Sequence, residues 1–580
     1  MKNGKKFTLV TILLLIFLFQ SLYELLSNNL VLDEPAYIAV GYYFVKYLDA
    51  SMIILHPPLT FLISGFPLLF MHINLPYSYK ECVDIGYYKC SQVMFFQSGN
   101  DAEKMALYSR IPFLILSVIL GLVVFLFAEE IYGTKAAFIS LIFYTFSPTI
   151  LSYNTIVFTD FLIAFFVFTT IYMFWKLIMK GYSRKRLIIT GISFGLALAS
   201  KFTAIFLVPI MIIIYIAKIF ESKKDKRKLL KNLFIQSMYI LIIGIFVLYF
   251  TYFFSFGTIS ESIPERYAKS INSAIGKNFA NGTSGYKISK YFVENLKIPM
   301  PQYPAGFGGQ YQIESTKTKE GYLNGQIYNG GKWYYFFEVL LIKSPIPLIL
   351  FFATILFFSL RNFKKELINN LFMLLPIIFF IGVFIIANFN LGLRHILPIM
   401  PFIFLFSSQI VNVKFRNRNA NIIFRFLILV MLAWYVASNL SIRPHYAAYF
   451  NELVGPENGH KYLLSSNLDM GQDLKRLRDY INENKIGKIK LSYHGAMDPA
   501  YYNISYDPLP MEQYIPWAPG FEQNNPNYKE DCSKKYGIIA ISVSNLHNYH
   551  LINQSCFSWL ENYAPIKRIG YTIFVYNITK

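Results

Sequence analysis

Residues 109–128 read SRIPFLILSVILGLVVFLFA, and this stretch decides the class of fold. An α-helix needs about 20 mostly apolar residues to cross a bilayer, because each residue advances the helix by about 1.5 Å. Comparable apolar runs recur near residues 7–26, 136–152, 158–178, 187–200, 202–220, 233–256, 335–359, 367–388, 395–413 and 420–440. The pattern predicts a polytopic α-helical membrane protein with about eleven transmembrane helices.

The composition excludes a soluble protein of this length. The 580 residues are 55% hydrophobic and only 15% charged, and the mean hydropathy is +0.40. A typical soluble domain carries about 25% charged residues. The bilayer is therefore expected to be the main solvent of the chain.

Positive charge is concentrated at alternate ends of the apolar runs. A formal net charge of +21 could suggest nucleic acid. The Lys and Arg residues instead gather in short segments, as in loops retained in the cytoplasm: 2–6, 176–186, 223–231, 361–365 and 414–418. We therefore expect no nucleic-acid partner, and a cytoplasmic N-terminus. The first run could be a signal peptide, but no clear small-residue cleavage site follows it.

This topology places three long segments outside the cytoplasm: 27–108, 257–334 and 441–580. We divide the chain into a transmembrane module, residues 1–440, and a soluble extracytoplasmic domain, residues 441–580. In that domain the patterns predict a helix over 469–484 and strands over 488–493, 537–543 and 569–575, typical of a small α/β fold. In the loops, residues 58–70 are expected to lie on the membrane surface as an amphipathic helix. The Gly-rich stretches 306–309 and 329–331 suit either a mobile lid or structural turns.

All four cysteines fall in the segments predicted to lie outside. An oxidising compartment permits disulfides there, and we expect the pairs Cys82–Cys90 and Cys532–Cys556. A zinc site is the alternative, but neither pair has close ligand spacing or adjacent histidines.

Two carboxylates, Asp33 and Glu34, follow the first apolar run directly. Acidic groups at the mouth of a membrane suit a general base, a metal ligand or an ion-coupling site. The structural alternative is a helix cap, with Pro35 in the first turn. In the same loop the prolines after His56 fix a bend that could turn this residue towards the carboxylates. A lone histidine can equally be structural.

Other charged residues stand at the predicted outer face of the membrane. Asp160 begins an otherwise apolar run and needs a partner in space, unless it only caps that helix. The cations Lys201, Lys343 and Arg394, the last followed by His395, break the positive-inside tendency. A lipid-linked phosphate at the membrane surface would need such cations. Snorkelling side chains are the alternative.

Several short motifs resemble those of a known superfamily. They are 32–37 (LDEPAY), 56–59 (HPPL), 195–202 (GLALASKF), 341–347 (LIKSPIP), 393–398 (LRHILP), 449–453 (YFNEL) and 466–473 (SNLDMGQD). Together they are similar to the protein O-mannosyltransferase and aminoarabinose transferase superfamily, glycosyltransferases of the C-type membrane fold. The last two look like the phospholipid-carrier-dependent prokaryotic members. Related sequences more usually have Trp where this chain has Met470.

The resemblance implies transfer of a sugar from a polyprenyl-phosphate donor, outside the cytoplasm, with inversion at the anomeric carbon. The acceptor would be a protein, a lipid or a glycan. Asp33 would be the catalytic carboxylate, with Glu34 and Asp160 as further acids of the site. The residues implied to bind donor or phosphate are His56, Lys201, Lys343, Arg394 and His395. The candidate ligands of a divalent metal, if one is used, are Glu34, His56 and Asp160.

Two other classes of function remain open from the sequence. A transporter or flippase for lipid-linked saccharides would also need many spans and charges at membrane depth. Such proteins often show inverted repeats and helices broken at mid-membrane, and neither pattern is evident here. A non-catalytic scaffold built on the same fold is the third reading, and the joint presence of the acids and Arg394 argues against it.

Overall fold

The computed structural model describes residues 3–222, 225–278, 282–315, 320–361, 366–386, 390–511 and 530–579. Within these ranges eight helical segments are long and apolar enough to cross a membrane. They are Gly4–Ser27, Ala102–Tyr132, Thr159–Met179, Phe202–Glu221, Lys226–Thr251, Leu367–Ile386, Leu393–Asn412 and Arg418–Leu440. The polytopic helical architecture predicted from the apolar runs is confirmed.

Helices dominate the chain up to the last apolar run. The first part contains α1 (Asn3–Ser27), α2 (Glu34–Tyr47), α3 (Leu59–Gly65), α4 (Tyr79–Ile85), α5 (Tyr87–Phe96), α6 (Ala102–Tyr132), α7 (Thr134–Thr145), α8 (Pro148–Tyr153), α9 (Thr159–Met179), α10 (Arg184–Ser200), α11 (Leu207–Glu221) and α12 (Lys226–Thr251). The segment that follows holds α13 (Glu265–Asn278), α14 (Ser284–Glu294) and α15 (Gln302–Ser315). The last membrane part has α16 (Tyr335–Lys343), α17 (Ile346–Arg361), α18 (Leu367–Ile386), α19 (Met400–Ser408) and α20 (Arg418–Leu440).

Three of the predicted apolar runs do not form straight, full-length spans. The run at 335–359 is two helices, α16 and α17, bent by 120° at the break that contains Pro345. Proline removes a backbone donor and clashes with the preceding turn, which explains the break. The run at 136–152 is divided where Ser147 caps α8 and Pro148 begins it, and the run at 187–200 lies in the 17-residue α10. The described residues thus give eight spans, or nine with the bent pair, and the count of eleven stays a prediction.

Glycines allow two helices of the bundle to pack closely where they cross. A Cβ on Gly195 of α10 would lie 2.6 Å from the carbonyl oxygen of Gly244 on α12. Any larger residue at this crossing would force the two backbones apart. The close packing of α10 on α12 helps to fix the end of α10, where Lys201 follows.

The loop between α1 and α6 is compact and helical. The predicted surface helix at 58–70 is α3 continued by a 3-10 turn at Phe66–Phe70. The disulfide between Cys82 and Cys90 joins α4 to α5, as expected from the sequence. This loop therefore forms a stable layer over the end of the bundle at which α1 finishes.

The segment between α12 and α16 packs against that layer. It contains two short antiparallel strand pairs: β1 (Phe256–Gly257) with β2 (Ile298–Pro299), which α13 and α14 separate in sequence, and the hairpin of β3 (Glu320–Leu323) with β4 (Gln326–Asn329). The Gly-rich stretch 306–309, expected as a lid or as turns, lies inside helix α15. A Cβ on Gly306 would clash with the carbonyl oxygen of Ile54, so glycine lets α15 lie directly on the loop that carries His56.

The chain after α20 forms a mixed sheet. Its strands are β5 (Ile489–Ser492), β6 (Tyr506–Pro508), β7 (Gly537–Ser542), β8 (Lys567–Ile569) and β9 (Ile573–Ile578), in the order β6-β5-β7-β9-β8. Two short helices accompany it, α21 (Leu474–Glu483) and α22 (Val543–Leu546). The α/β character is as predicted, but two elements differ. The helix begins at Leu474 and not at 469, and the strand expected over 569–575 is a hairpin that turns at Gly570 and Tyr571, both with positive φ.

The second disulfide, Cys532–Cys556, lies in this domain. Because both sulfurs are bonded to each other, the zinc alternative has no free thiolate there. Glu530 lies beside the pair, but a carboxylate next to a disulfide is not a metal site. The boundary of the domain at residue 440 stays a prediction, although the last long apolar helix ends there.

Candidate functional site

Asp33 stands between α1 and α2, at the end of the bundle covered by the helical loop. Its side chain does not cap α2. Instead, the hydroxyl of Tyr88 on α5 donates a 2.8 Å hydrogen bond to Oδ1 of Asp33. The carboxylate lines a cavity of about 100 Å³ together with Ala36, Tyr37, Val40, Met52, Leu55, His56, Phe61, Tyr87 and Tyr88. A single carboxylate in a mostly aromatic pocket can act as a base on a bound hydroxyl group.

Flat rings form one wall of this cavity. The ring of Tyr37 stacks on Phe61 at 5.2 Å and on His56 at 5.7 Å, measured between ring centroids. Burial and the neighbouring Asp33 charge raise the pKa of Tyr37 well above its usual value. The phenol is therefore neutral, and it offers a flat apolar face with a polar edge.

A cluster of charged side chains lies next to the cavity, around Asp160. Nζ of Lys201, at the end of α10, is 2.6 Å from Oδ1 of Asp160, in the first turn of α9. Nε of Arg394 is 3.9 Å from Oδ2 of the same carboxylate. Nδ1 of His395 is 3.3 Å from Nζ of Lys201. Residues predicted from separate motifs are thus brought together around Asp160. The cations among them are the partners that this buried acid requires.

An aromatic contact joins the cavity to the cluster. The guanidinium of Arg394 lies over the ring of Phe158, 4.7 Å from its centroid, and this ring is 5.9 Å from Tyr37. The charge of Arg394 is within electrostatic range of both Asp160 and Asp33. The rings of Phe158 and Tyr37 therefore link the cavity that contains Asp33 to the charge cluster that contains Arg394.

His56 lies between the cavity that contains Asp33 and the charge cluster around Asp160. Burial, followed by the positive charge of Lys201, lowers the pKa of His56 to about 3. The imidazole is neutral at physiological pH, so it does not add a cation. Among the described residues, its buried Nδ1 has no hydrogen-bond partner. A neutral ring with an unused nitrogen is suited to binding a polar group of a ligand.

Arg394 is the cation with spare hydrogen-bonding capacity. Its side chain is 16% exposed, and within the part of the chain that the structure describes its Nε donates to no acceptor. Lys201 is by contrast engaged with Asp160 and His395. A guanidinium presents several donors in a fixed plane that matches phosphate oxygens. Arg394 is therefore the residue best placed to bind an anion.

Glu34 does not share the cavity with Asp33. It is fully buried and forms an ion pair with Arg110 of α6, in which Nε of Arg110 is 2.7 Å from Oε1. The backbone amides of Val31 and Val157 also donate to its oxygens. The sequence placed Glu34 among the acids of the site, whereas these contacts give it the role of an anchor between α2, α6 and the chain before α9. Arg110 was overlooked, although it is the one cation within the run 109–128.

Lys343 also lies apart from the charge cluster. Its buried Nζ donates to the carbonyl oxygens of Ala447 and Asn467, at 2.7 and 2.6 Å. The ring of Phe450 lies 4.3 Å from the same nitrogen. These contacts satisfy the ammonium group within the protein, so the predicted phosphate-binding role does not fit its described surroundings.

The three candidate metal ligands do not form a metal site. The oxygens of Glu34 face Arg110, and those of Asp160 face Lys201 and Arg394. A divalent cation would have to displace these positively charged side chains, and their charge would repel it. Across the described ranges no grouping of Glu34, His56 and Asp160 with metal-ligand spacing occurs. We therefore derive no step through a metal.

The structure adds residues that the motifs did not single out. Tyr88 binds Asp33 directly and Phe158 joins the aromatic wall, but aromatic residues are too common in this chain to stand out. Tyr37, the other ring of that wall, ends the motif at 32–37, which gave it no role. His494, from the C-terminal domain, is buried and within electrostatic range of Asp33 and Asp469. Burial lowers the pKa of His494. Only the fold brings this histidine, more than 400 residues away in sequence, to the site.

Comparison with known protein families agrees with the motifs. Residues 103–251 match the family described as dolichyl-phosphate-mannose-protein mannosyltransferase. This match confirms the resemblance to the protein O-mannosyltransferase superfamily. No curated protein sequence matches the chain significantly.

Solved structures share the fold at low sequence identity. The S. cerevisiae protein O-mannosyltransferase Pmt1-Pmt2 complex bound to the sugar donor is 12% identical, with a TM-score of 0.51 over 77% of this chain and 90% of that chain. The Archaeoglobus fulgidus oligosaccharyltransferase AglB, in complex with an inhibitory peptide and a dolichol-phosphate, is 13% identical, with a TM-score of 0.50 over 92% of this chain and 62% of that chain. ArnT from Cupriavidus metallidurans bound to undecaprenyl phosphate is 11% identical, with a TM-score of 0.48 over 99% and 98% of the two chains. The chain has the C-type fold of membrane glycosyltransferases.

Proposed function

We propose that this chain is a membrane glycosyltransferase that moves a sugar from a polyprenyl-phosphate donor to an acceptor hydroxyl group, with inversion. The acceptor would belong to a protein, a lipid or a glycan. The observation that carries the proposal is that a carboxylate, Asp33, and a cation with an unused donor, Arg394, lie close together, linked by the rings of Tyr37 and Phe158. A displacement at an anomeric carbon needs a base on one side of the sugar and a cation on the other.

The reaction would proceed in one step. The acceptor oxygen forms a bond to the anomeric carbon while its proton passes to the Asp33 carboxylate. The bond between that carbon and the phosphate oxygen breaks, and its electron pair stays on the phosphate. Arg394 would bind this phosphate and stabilise the charge that develops on it. Because attack and departure occur on opposite faces, the configuration inverts.

The neighbouring structures support the substrate class. The yeast complex is described with a sugar donor, and the archaeal enzyme with a peptide and a dolichol-phosphate. In the present chain the charged residues gather at one end of the bundle, where a lipid-linked phosphate at the membrane surface would reach them. A transporter would instead be expected to hold its charged site near mid-membrane.

We further propose that this end faces away from the cytoplasm, and that the protein is a multi-pass protein of the cell membrane. The opposite end of the bundle carries Lys6, Lys176 and Lys180, paired with Glu129 and Glu130, as expected for a cytoplasmic face. The test is labelling of Glu483→Cys in intact cells with a membrane-impermeant reagent. Labelling only after permeabilisation would reverse the orientation.

The catalytic proposal is tested by turnover with purified protein in lipid. Candidate polyprenyl-phosphate sugars and a membrane extract as acceptor are supplied, and products are identified by mass spectrometry. We expect Asp33→Asn to lower kcat by about 10²- to 10⁴-fold, the usual cost of losing a general base. The matched control is Asp49→Asn, because Asp49 is exposed in the same loop, caps a 3-10 turn and is not among the residues that line the cavity of Asp33. Wild-type turnover in Asp33→Asn would remove Asp33 from the mechanism.

A further inference from the structure

We infer that residues 465–473, termed the strap, position the base and the phosphate-binding cation relative to each other. This inference rests on the proposed function, because it assigns a role to the strap in that reaction. The strap follows the last long apolar helix and precedes α21. Its polar side chains are almost completely buried: Asn467 is 1% exposed, and Asp469 and Asp473 are 0% exposed. Buried polar groups are expected to be hydrogen-bonded, and the partners of this segment show what it holds.

One end of the strap binds the chain just before Arg394. The backbone amide of Leu393 donates a 2.9 Å hydrogen bond to Oδ1 of Asn467. The hydroxyl of Ser466 donates to the carbonyl oxygen of Leu391. Between them Gly392 has a φ of +142° and lies so close to Ser466 that a Cβ would clash. The backbone that carries Arg394 is therefore fixed to the strap by two hydrogen bonds and a close contact.

The other end of the strap binds the chain just before Asp33. The backbone amide of Leu32 donates to the carbonyl oxygen of Met470 at 3.1 Å. Nδ2 of Asn29 donates to the carbonyl oxygen of Gly471 at 2.7 Å. Gln472 shapes this part of the strap, since its Oε1 accepts from the amide of Met470 and its Nε2 donates to the carbonyl oxygen of Leu468, both at 2.8 Å. Met470 takes part through its backbone, so a different side chain there leaves the contact to Leu32 in place.

The strap is itself held by the C-terminal sheet and by the bundle. The amide of Ser544 donates to Asp469 at 3.2 Å, and the hydroxyl of Thr572 donates to Asp473 at 2.6 Å. Lys343 donates to the carbonyl oxygen of Asn467 at 2.6 Å. This gives the buried ammonium group a positioning role in place of the predicted phosphate contact. The C-terminal domain thus contacts the chain before the base and the chain before the cation through this segment, in addition to bringing His494 within electrostatic range of Asp33.

The strap therefore binds both Leu32, which precedes the base Asp33, and Leu393, which precedes the cation Arg394. Catalysis by positioned groups tolerates only small displacements, and an error of about 1 Å can cost about 100-fold in rate. Loss of the Asn467 contact should displace Arg394 and weaken the use of the donor. Loss of the Gln472 contacts should displace Asp33 and slow turnover once the donor is bound.

The test compares Asn467→Leu, Gln472→Leu and the control Asn545→Leu. Asn545 is fully buried in the same domain, where it donates to Ser492 on β5. We expect Asn467→Leu to raise the KM for the donor at least tenfold with a smaller change in kcat. We expect Gln472→Leu to lower kcat at a saturating donor with little change in that KM. Asn467→Asp keeps an oxygen acceptor for Leu393 and should recover most of the donor KM.

A second readout does not depend on activity. Hydrogen exchange of the intact protein in lipid, followed by mass spectrometry, reports the amides of Leu393 and Leu32. Exchange around residues 391–394 should rise in Asn467→Leu, and exchange around residues 30–34 in Gln472→Leu. Unchanged exchange at both places overturns the strap, and so does an equal increase in donor KM in Asn545→Leu. If no polyprenyl-phosphate sugar is used by the wild-type protein, the proposed function fails while the exchange data still decide the strap.

Discussion

Removal of one hydroxyl group tests how Asp33 is held. Tyr88→Phe keeps the ring that lines the cavity but removes the donor to Oδ1 of Asp33, which lies 2.8 Å from it. A hydrogen bond to a charged group contributes about 1.5–3 kcal/mol where solvent is excluded. Tyr88 is 39% exposed, so solvent weakens the bond and we take about 1 kcal/mol.

The hydrogen bond holds the carboxylate of Asp33 in place in the cavity. Without it the carboxylate is less well positioned to take the proton of the acceptor, so the rate should fall. A free energy of about 1 kcal/mol corresponds to about a fivefold change in rate. We therefore expect kcat/KM to fall about fivefold in Tyr88→Phe.

The assay is turnover of donor and acceptor by purified protein in lipid. Tyr43→Phe is the matched control, because it removes a 2.7 Å hydrogen bond to the carbonyl oxygen of Tyr77 in the same loop. An unchanged kcat/KM in Tyr88→Phe would refute the reasoning. An equal decrease in Tyr43→Phe would show that the effect reflects the loop as a whole.

Three further comparisons separate structural from catalytic roles. Glu34→Gln leaves the buried Arg110 without its counter-ion, so we expect about 3–5 kcal/mol of lost stability, seen as a lower Tm in lipid; an unchanged Tm would contradict the anchor role. Arg394→Ala should raise the donor KM more than Lys343→Met, because the Lys343 ammonium already binds two carbonyl groups, and equal effects in a donor titration would argue against this ranking. Replacing Cys82 and Cys90 together by Ser should lower kcat/KM as Tyr88→Phe does, because their disulfide holds the turn before Tyr88, whereas replacing Cys532 and Cys556 should not.

The sequence was informative where one residue carried its own signal. A buried acid such as Asp160, or a cation such as Arg394 at the disfavoured end of a helix, is costly enough in a membrane to indicate a partner. The structure brings both together with Lys201. The disulfide pairs could also be predicted, because only four cysteines had to be paired.

The sequence was uninformative where the meaning of a residue depends on distant chain. Nothing local distinguishes Glu34 from Asp33, and the partner that separates them, Arg110, lies 76 residues away. Lys343 resembles a phosphate ligand until the carbonyl groups that bind it are known. The bend between α16 and α17 was signalled by Pro345, but apolar length alone predicted a straight span.

The side chains of Asp33 and Glu34 point in different directions. This difference also constrains the length of the chain between α1 and α2. Successive residues entering a helix are rotated by about 100°, so Asp33 meets the cavity while Glu34 meets Arg110. Deleting or adding a single residue between α1 and α2 would change this phase and turn the wrong acid towards each partner. A change of length there would exchange a chemical group for a structural one. The spacing between α1 and α2 is therefore as much a part of the site as the acids themselves.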